Sequence, residues 1–328
     1  MKLSCGLAPG PGAADLAVLA EKLGYERVWL FDSAPLWEDV FVHLAMIAQR
    51  TDRIGLGTAV LVPTQRHVMT MASAIATIER LAPARLICGF GTGYTARQCL
   101  GQRPMTIGAL RTYLQQLRAL LAGDTVDIDG QWCRMLHWDG LALARPVPVP
   151  LVVSAFGPRG TQLAREVADG RIGLSRRDSA DRWYAQIFPG TIIDDGEDPA
   201  GDRVLEAVAP WLLSAQYHDA YGRGPEAADR LPGGRAWREA LDQEAPPGQR
   251  HLLMHEGHVT HVTGRDRPLL EHMVLHPRFI GTADQVQASL EKVAATGVDE
   301  FIYTPAGPDM PRELSAFRSA FALGDIDG

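Results

Sequence analysis

Short apolar runs alternate with amphipathic helical stretches from the first residues of this chain onward, and that alternation limits what it can fold into. "KLSCGL" (2–7) reads as a strand, and "AADLAVLAEKLGY" (13–25) as a helix closed by Gly24. The pair then recurs. "RVWLF" (27–31) precedes the helical "EDVFVHLAMIAQRT" (38–51), "RIGLGTAVL" (53–61) precedes "VMTMASAIATIERL" (68–81), and "RLICGF" (85–90) precedes "LRTYLQQLRALLAG" (110–123). "PLVVSAF" (150–156), introduced by the proline-rich "RPVPVP", precedes "TQLAREVADG" (161–170). "RIGLS" (171–175) predicts a sixth strand and "YAQIFPGTII" (184–193) a seventh, although Pro189 cannot donate a ladder hydrogen bond. The helix "ADQVQASLEKVAATG" (283–297) and the strand "DEFIYTP" (299–305) complete the series.

Eight such units predict a parallel sheet of the α/β class. The expected fold is a (β/α)8 TIM barrel, with a doubly wound open sheet as the alternative. The 328 residues suit a single barrel domain over 1–328. The stretch 195–278, rich in Gly, Pro and charge, is too long for an ordinary connection. It reads as an inserted, partly helical excursion before the last strand, covering the site.

Composition removes several function classes. A net charge of −7 and a pI near 5.8 argue against a nucleic-acid surface, which would be basic. Lysine occurs only at Lys2, Lys22 and Lys292, so an anionic ligand must rely on arginine or backbone amides. Cys5, Cys88, Cys99 and Cys133 form no C-x-x-C pair and are expected as free thiols in a reducing compartment. The start "MKLSCGLAPG" lacks the apolar region of a signal peptide, and no apolar run approaches the roughly 18 residues of a membrane span. The expected location is the cytoplasm, with no membrane partner.

In a parallel barrel the chemistry gathers at the C-terminal ends of the strands. The exits are "FDSAPLW", "TAVLVPTQRH", "GFGTGYTARQ", "SAFGPRG" and "TPAGPD"; all but the second carry an acid, a glycine cluster or both. Asp32 ends an apolar strand and is either a helix or turn cap or an anchor for a heterocycle. The glycines at 89, 91 and 93 miss the dinucleotide fingerprint, whose third glycine would fall on Tyr94. "AFGPRG" (155–160) sets glycines around a proline at a helix start, which offers amides and a dipole to a phosphate, with Arg159 as charge partner. In "RHLLMHEGHVTH" (250–261) His255 and His258 are three apart with Gly257 between them, whereas H-E-x-x-H needs four. No metal site is expected there, but a polar loop bordering the site. Neither G-x-S-x-G nor a P-loop occurs.

Four stretches carry a resemblance: "ERVWLFDSAPLWEDVFVHLAMIAQRTDRIGLGTAVLVPTQRH", "AIATIERLAPARLICGFGTGY", "LVVSAFGPRGTQLAREVADG" and "FIGTADQVQASLEKVAATGVDEFIYTPAGPD", together with "HEGHVT". With them the chain resembles the luciferase-like monooxygenase superfamily, in particular its deazaflavin branch, which uses coenzyme F420 and includes methylenetetrahydromethanopterin reductase. The resemblance implies a TIM barrel, usually homodimeric, that binds F420, or alternatively FMN, across the strand ends. It implies a non-proline cis peptide near Ala59–Val60 pressing on the central ring, and Asp32 at the pyrimidine end. Gly91, Thr92 and Gly93 resemble a cofactor loop, where bare backbone is expected to admit the cofactor tail. Phe156, Gly157, Pro158 and Arg159 resemble the phosphate loop.

There are departures. Members that dehydrogenate sugar phosphates have a histidine after the aspartate and a glutamate after "GTG"; here those positions are Ser33 and Tyr94, although their tryptophan is present as Trp37. Their phosphate-binding lysines have no counterparts, and Gly6 stands where the pterin reductase has an acid. Neither substrate is therefore assigned. Proton delivery is expected from Tyr94, His67, or a loop histidine such as His255 or His258.

The expected activity is an F420-dependent oxidoreductase passing hydride between the reduced deazaflavin and a small organic substrate. The alternatives are an FMN-dependent monooxygenase, a non-catalytic flavin-binding protein and, third, a metal-dependent hydrolase.

Overall fold

The computed structural model describes residues 1–138, 140–273 and 278–322. Eight parallel strands close into a barrel: β1 Lys2–Leu7, β2 Arg27–Leu30, β3 Gly55–Leu61, β4 Leu86–Phe90, β5 Leu151–Ser154, β6 Gly170–Gly173, β7 Tyr184–Pro189 and β8 Glu300–Thr304. Strands adjacent in sequence are adjacent in space, and β1 closes on β8 from Lys2↔Glu300 to Cys5↔Tyr303. The TIM-barrel expectation holds and the open sheet is excluded. Pro189 is tolerated because it is the last residue of β7. The run to 193 splits there: Thr191–Ile192 leaves the barrel and pairs with Ile280–Gly281.

Local chemistry sets the helix ends. Asp39 accepts from the N–H groups of Phe41 and Val42 at the start of helix Val40–Arg50. Thr282 and Gln285 form a capping box on helix Ala283–Ala294. Gly24 and Gly123 end their helices in the left-handed conformation. Helices around the barrel bury one face on the sheet; helix Val68–Leu81 covers it with Met71, Ala72, Ile75 and Ile78. Inside the barrel, Trp29, Val152, Ile172, Ala185, Ile187 and Ile302 pack together, with Ala59, Val60 and Trp211 against them.

Between β7 and β8 the chain builds an excursion with its own apolar cluster, centred on Leu213, Tyr217, Trp237, Leu241 and Leu269. It is more helical than the sequence suggests, running through Asp202–Leu213, Asp219–Arg223, Pro225–Ala228 and Gly234–Glu244. Ser214–His218 continues the first of these as a π-helical turn. Of the expected insertion 195–278, residues 274–277 lie outside the described residues.

Among the elements that escaped the sequence reading are a hairpin and a terminal helix. The hairpin pairs Val126–Ile128 with Gln131–Cys133 across Asp129 and Gly130, both with positive φ. The Asp-Gly pair was its signal. The terminal helix, Met310–Ala322, follows β8. All four cysteines are free, and burial pushes the Cys5 and Cys88 thiols far up, which makes them inert packing groups. Among the described residues no helix is long and apolar enough to cross a membrane.

Candidate active site

The exits of β2, β3 and β4 meet the excursion at the C-terminal mouth of the barrel. At the β3 exit the Ala59–Val60 peptide is cis, at the position the resemblance implied. The register against β4 shifts between Thr58 and Leu61. The Thr58 hydroxyl spans the irregularity, accepting from the Gly89 N–H at 2.9 Å and donating to the Gly89 carbonyl at 3.1 Å.

That shift explains the glycines of β4 and its exit. A Cβ on Gly89 would lie 2.3 Å from the Thr58 carbonyl oxygen, on Gly91 2.6 Å from Val60 Cγ2, and on Gly93 2.4 Å from Val62 Cγ1. Gly93 also needs its φ of 75° to start the short helix Tyr94–Gln98. The missing Cβ atoms make room for Thr58 and Val60 of β3 and for Val62 just past its end. Thr92 lies within this packed turn, its carbonyl accepting from the Met105 N–H at 3.0 Å. Gly6 has a similar cause, since a Cβ there would meet Thr304 Cγ2 at 2.8 Å.

Asp32 follows β2 with its side chain 2% exposed. Its Oδ2 accepts from the Val62 N–H at 3.2 Å and from Arg66 at 2.7 Å. Arg66 also donates to Asp39 at 2.8 Å, so one guanidinium joins the β2 exit to a helix cap. Burial pushes the Asp32 carboxyl up, and Arg66 and the Val62 N–H pull it back only in part. Both bonds fall on Oδ2, so Oδ1 keeps its acceptor capacity. Arg66 was missed because it sits on the one exit without an acid or glycine cluster; a lone arginine facing acidic exits was the available signal.

An aromatic wall rises beside Asp32. The Phe31 and Trp37 rings are 5.4 Å apart, Phe31 and Trp211 6.4 Å, and Trp37 and His258 6.1 Å. Trp211 comes from the excursion; its Nε1, and the Thr304 hydroxyl at the end of β8, are buried without a partner among the described residues. Tyr94 is 37% exposed, and its hydroxyl reaches the Asp219 carbonyl of the excursion at 3.5 Å.

His67 is exposed and caps helix Val68–Leu81, its Nδ1 accepting from the Met69 N–H at 3.2 Å. Only Nε2 is left for other chemistry. His255 is 2% exposed, with Nε2 at 2.9 Å from Gln98 Oε1. Burial, and His218 beside it, press its pKa down to about 3, so at neutral pH it is the neutral imidazole rather than the imidazolium that donates protons readily. This counts against the expected proton-donor role. His258 contacts Ser214 Oγ at 3.0 Å and Thr95 Oγ1 at 3.4 Å.

Phe156, Gly157, Pro158 and Arg159 form the β5 exit and the start of helix Pro158–Val167. All four are exposed, Phe156 at 66%. Gly157 supplies no side-chain cap, and nothing lies within 4 Å of where its Cβ would be. The Arg159 and Gly160 N–H groups thus start a ten-residue helix beside a cation, a site matched to an anion.

A family model described as luciferase-like monooxygenase matches residues 8–300. The chain belongs to the luciferase-like monooxygenase family. Among luciferase-like relatives, an F420-dependent glucose-6-phosphate dehydrogenase from Beutenbergia cavernae is 33% identical over 225 residues, 59% of this chain and 66% of that protein. The chain thus matches slightly less than two thirds of that relative's length. A 5,10-methylenetetrahydromethanopterin reductase from Methanolobus tindarius is 33% identical over 162 residues, 48% of each chain. The solved structure of an F420-dependent secondary alcohol dehydrogenase with an F420–acetone adduct shares the fold, with a TM-score of 0.64 and 15% identity over 99% of both chains.

Proposed function

We propose that the protein is an F420-dependent oxidoreductase acting on a small organic substrate at the barrel mouth. The observation that carries the reading is the uncapped helix start at Gly157, with Arg159 beside it, in a chain similar to proteins named as F420-dependent glucose-6-phosphate dehydrogenases. An anionic cofactor tail matches that site. Unpartnered polar atoms at Trp211 Nε1 and Thr304 Oγ1, with the free Oδ1 of Asp32, match the amide and carbonyl groups of a deazaflavin ring. The residues therefore fit the group.

F420 supplies a hydride donor or acceptor at its C5. The rest falls to the protein's own side chains. Ala59 and Val60 form an apolar floor for a flat ring, and Phe31, Trp37 and Trp211 a wall that excludes water. Asp32 holds the ring's polar edge, kept rigid by Arg66. Tyr94, whose hydroxyl makes only one long bond, holds the proton that accompanies the hydride. The excursion over 195–278 covers the mouth as part of one domain over 1–328. The proposed assembly is a cytoplasmic homodimer, for which light scattering reads the mass.

A second reading, an FMN-dependent monooxygenase, is favoured by the family description. Parallel fluorescence titrations with F420 and FMN separate the two. Tight F420 binding with weak FMN binding supports the reductase; the opposite order moves the protein to oxygen chemistry, where substrate-dependent oxygen uptake is the next assay. Binding of neither removes both.

A further inference from the structure

Three histidines meet within the excursion. His218 lies on the π-helical turn and His255 and His258 on the turns after Arg250–Leu252; each offers one ring nitrogen, and the three lie within 4.8 Å of one another. His218 and His255 are each 2% exposed. In both rings Nδ1 is buried and, among the described residues, without a hydrogen-bond partner, an unusual cost for two adjacent polar atoms. The other nitrogen faces a polar group in each ring: His255 Nε2 pairs with Gln98 Oε1 at 2.9 Å, and His218 Nε2 lies 3.9 Å from the Asp266 carboxylate. Because an amide oxygen only accepts, Gln98 holds the proton on Nε2 and leaves Nδ1 of His255 a bare lone pair.

Around the three rings stands a supporting shell. Asp266 receives Trp237 Nε1 at 2.7 Å and the Thr263 hydroxyl at 2.7 Å, and Trp237 stacks on the His218 ring at 5.8 Å. Ser214 Oγ meets His258 Nδ1 at 3.0 Å. Imidazoles oriented through their second nitrogen by carboxylate, amide or hydroxyl groups are how proteins prepare metal ligands.

We propose that His218, His255 and His258 form a binding site for one divalent transition metal of the zinc class, which fastens the excursion to the helix after β4. Imidazole donors without carboxylate or thiolate suit Zn2+, Co2+, Ni2+ or Cu2+ rather than Mg2+ or Ca2+. With metal–nitrogen bonds of about 2.0–2.1 Å the nitrogens sit about 3.4 Å apart, so side-chain rotations of about 1 Å close the set. All three ligands come from the excursion, while Gln98, which backs His255, comes from the barrel. The metal therefore stiffens the roof through that contact, independently of which cofactor the mouth binds. The sequence pattern hid the site because His218 is far upstream of the other two.

The test uses the full-length protein after dialysis against a chelator, titrated with Co2+ and then Zn2+. Expected are visible ligand-field absorption saturating at a single Co2+ per chain, its loss as Zn2+ displaces Co2+, and a higher thermal midpoint with Zn2+. His218→Ala and His255→Ala abolish the absorption, His261→Ala leaves it intact, and Gln98→Leu weakens Co2+ binding by about tenfold. His255→Gln preserves side-chain volume should the alanine variants fail to fold. No absorption and no Zn2+-dependent midpoint shift in the wild-type protein would overturn the proposal. So would wild-type absorption in His218→Ala or His255→Gln, since the ion would then bind elsewhere.

Discussion

The Thr58 hydroxyl bonds both the N–H and the carbonyl of Gly89, so one side chain replaces backbone ladder partners where β3 departs from register with β4. The glycine is the other half of that arrangement, because its missing Cβ leaves room for the Thr58 carbonyl.

Gly89→Ala should therefore destabilise the fold by about 1–3 kcal/mol or more, because the obstructing atom is backbone and cannot rotate away. Gly157→Ala, at φ −124° with open space around it, should stay within about 0.5 kcal/mol. Urea unfolding of both variants checks the pair; equal midpoints would mean the β3–β4 contact relaxes freely.

Asp32→Ala cannot separate binding from folding, because it leaves the half-buried Arg66 with only Asp39. Asp32→Asn keeps an acceptor for Arg66 and removes the charge. We expect F420 affinity to fall by about tenfold or more while the thermal midpoint moves by only a few degrees. Unchanged affinity with a large loss of stability would make Asp32 a structural partner of Arg66 alone.

Arg159 is exposed and forms no hydrogen bond within the described residues, so Arg159→Ala should leave stability within about 0.5 kcal/mol. It should weaken F420 binding by about tenfold, with a shallower salt dependence than wild type. Fluorescence titrations at low and high ionic strength read both effects, and a salt slope identical to wild type would place the anion elsewhere.

Glu197 predicts an acid limb. Bonding from Arg203 holds its carboxyl down to about 2, against an ordinary value of 4.5. A depressed folded-state pKa means the unfolded chain binds the proton more readily, so this stabilisation is present above about pH 4.5 and is lost as pH falls toward 2. Glu197→Gln should be less stable than wild type at pH 7 and should converge with it in acid. Parallel urea midpoints across that range check the sign; a gap that widens on acidification would contradict it.

Much of the barrel could be read from the chain because its causes are local. Apolar runs of strand length, the Asp39 cap, the Thr282 capping box and the closing glycines Gly24 and Gly123 all act within a few residues. The strand exits, and so the neighbourhood of Asp32, Tyr94 and Arg159, followed from the alternation itself. The hairpin at Asp129–Gly130 was legible too, but it was overshadowed by the helical rhythm around it.

What the sequence determined by itself is the order of strands and helices, since turn chemistry and side-chain periodicity need no distant partner. Only the tertiary structure decided which distant groups share a space. Arg66 bridges Asp32 and Asp39, Trp211 joins Phe31, and His218 meets His255 and His258, in each case because barrel closure or the folding back of the excursion brings separate segments together. The glycines of β4 belong to the same class. Their spacing was visible, but the close approach of Thr58, Val60 and Val62 that requires them depended on the strand that came to lie beside them.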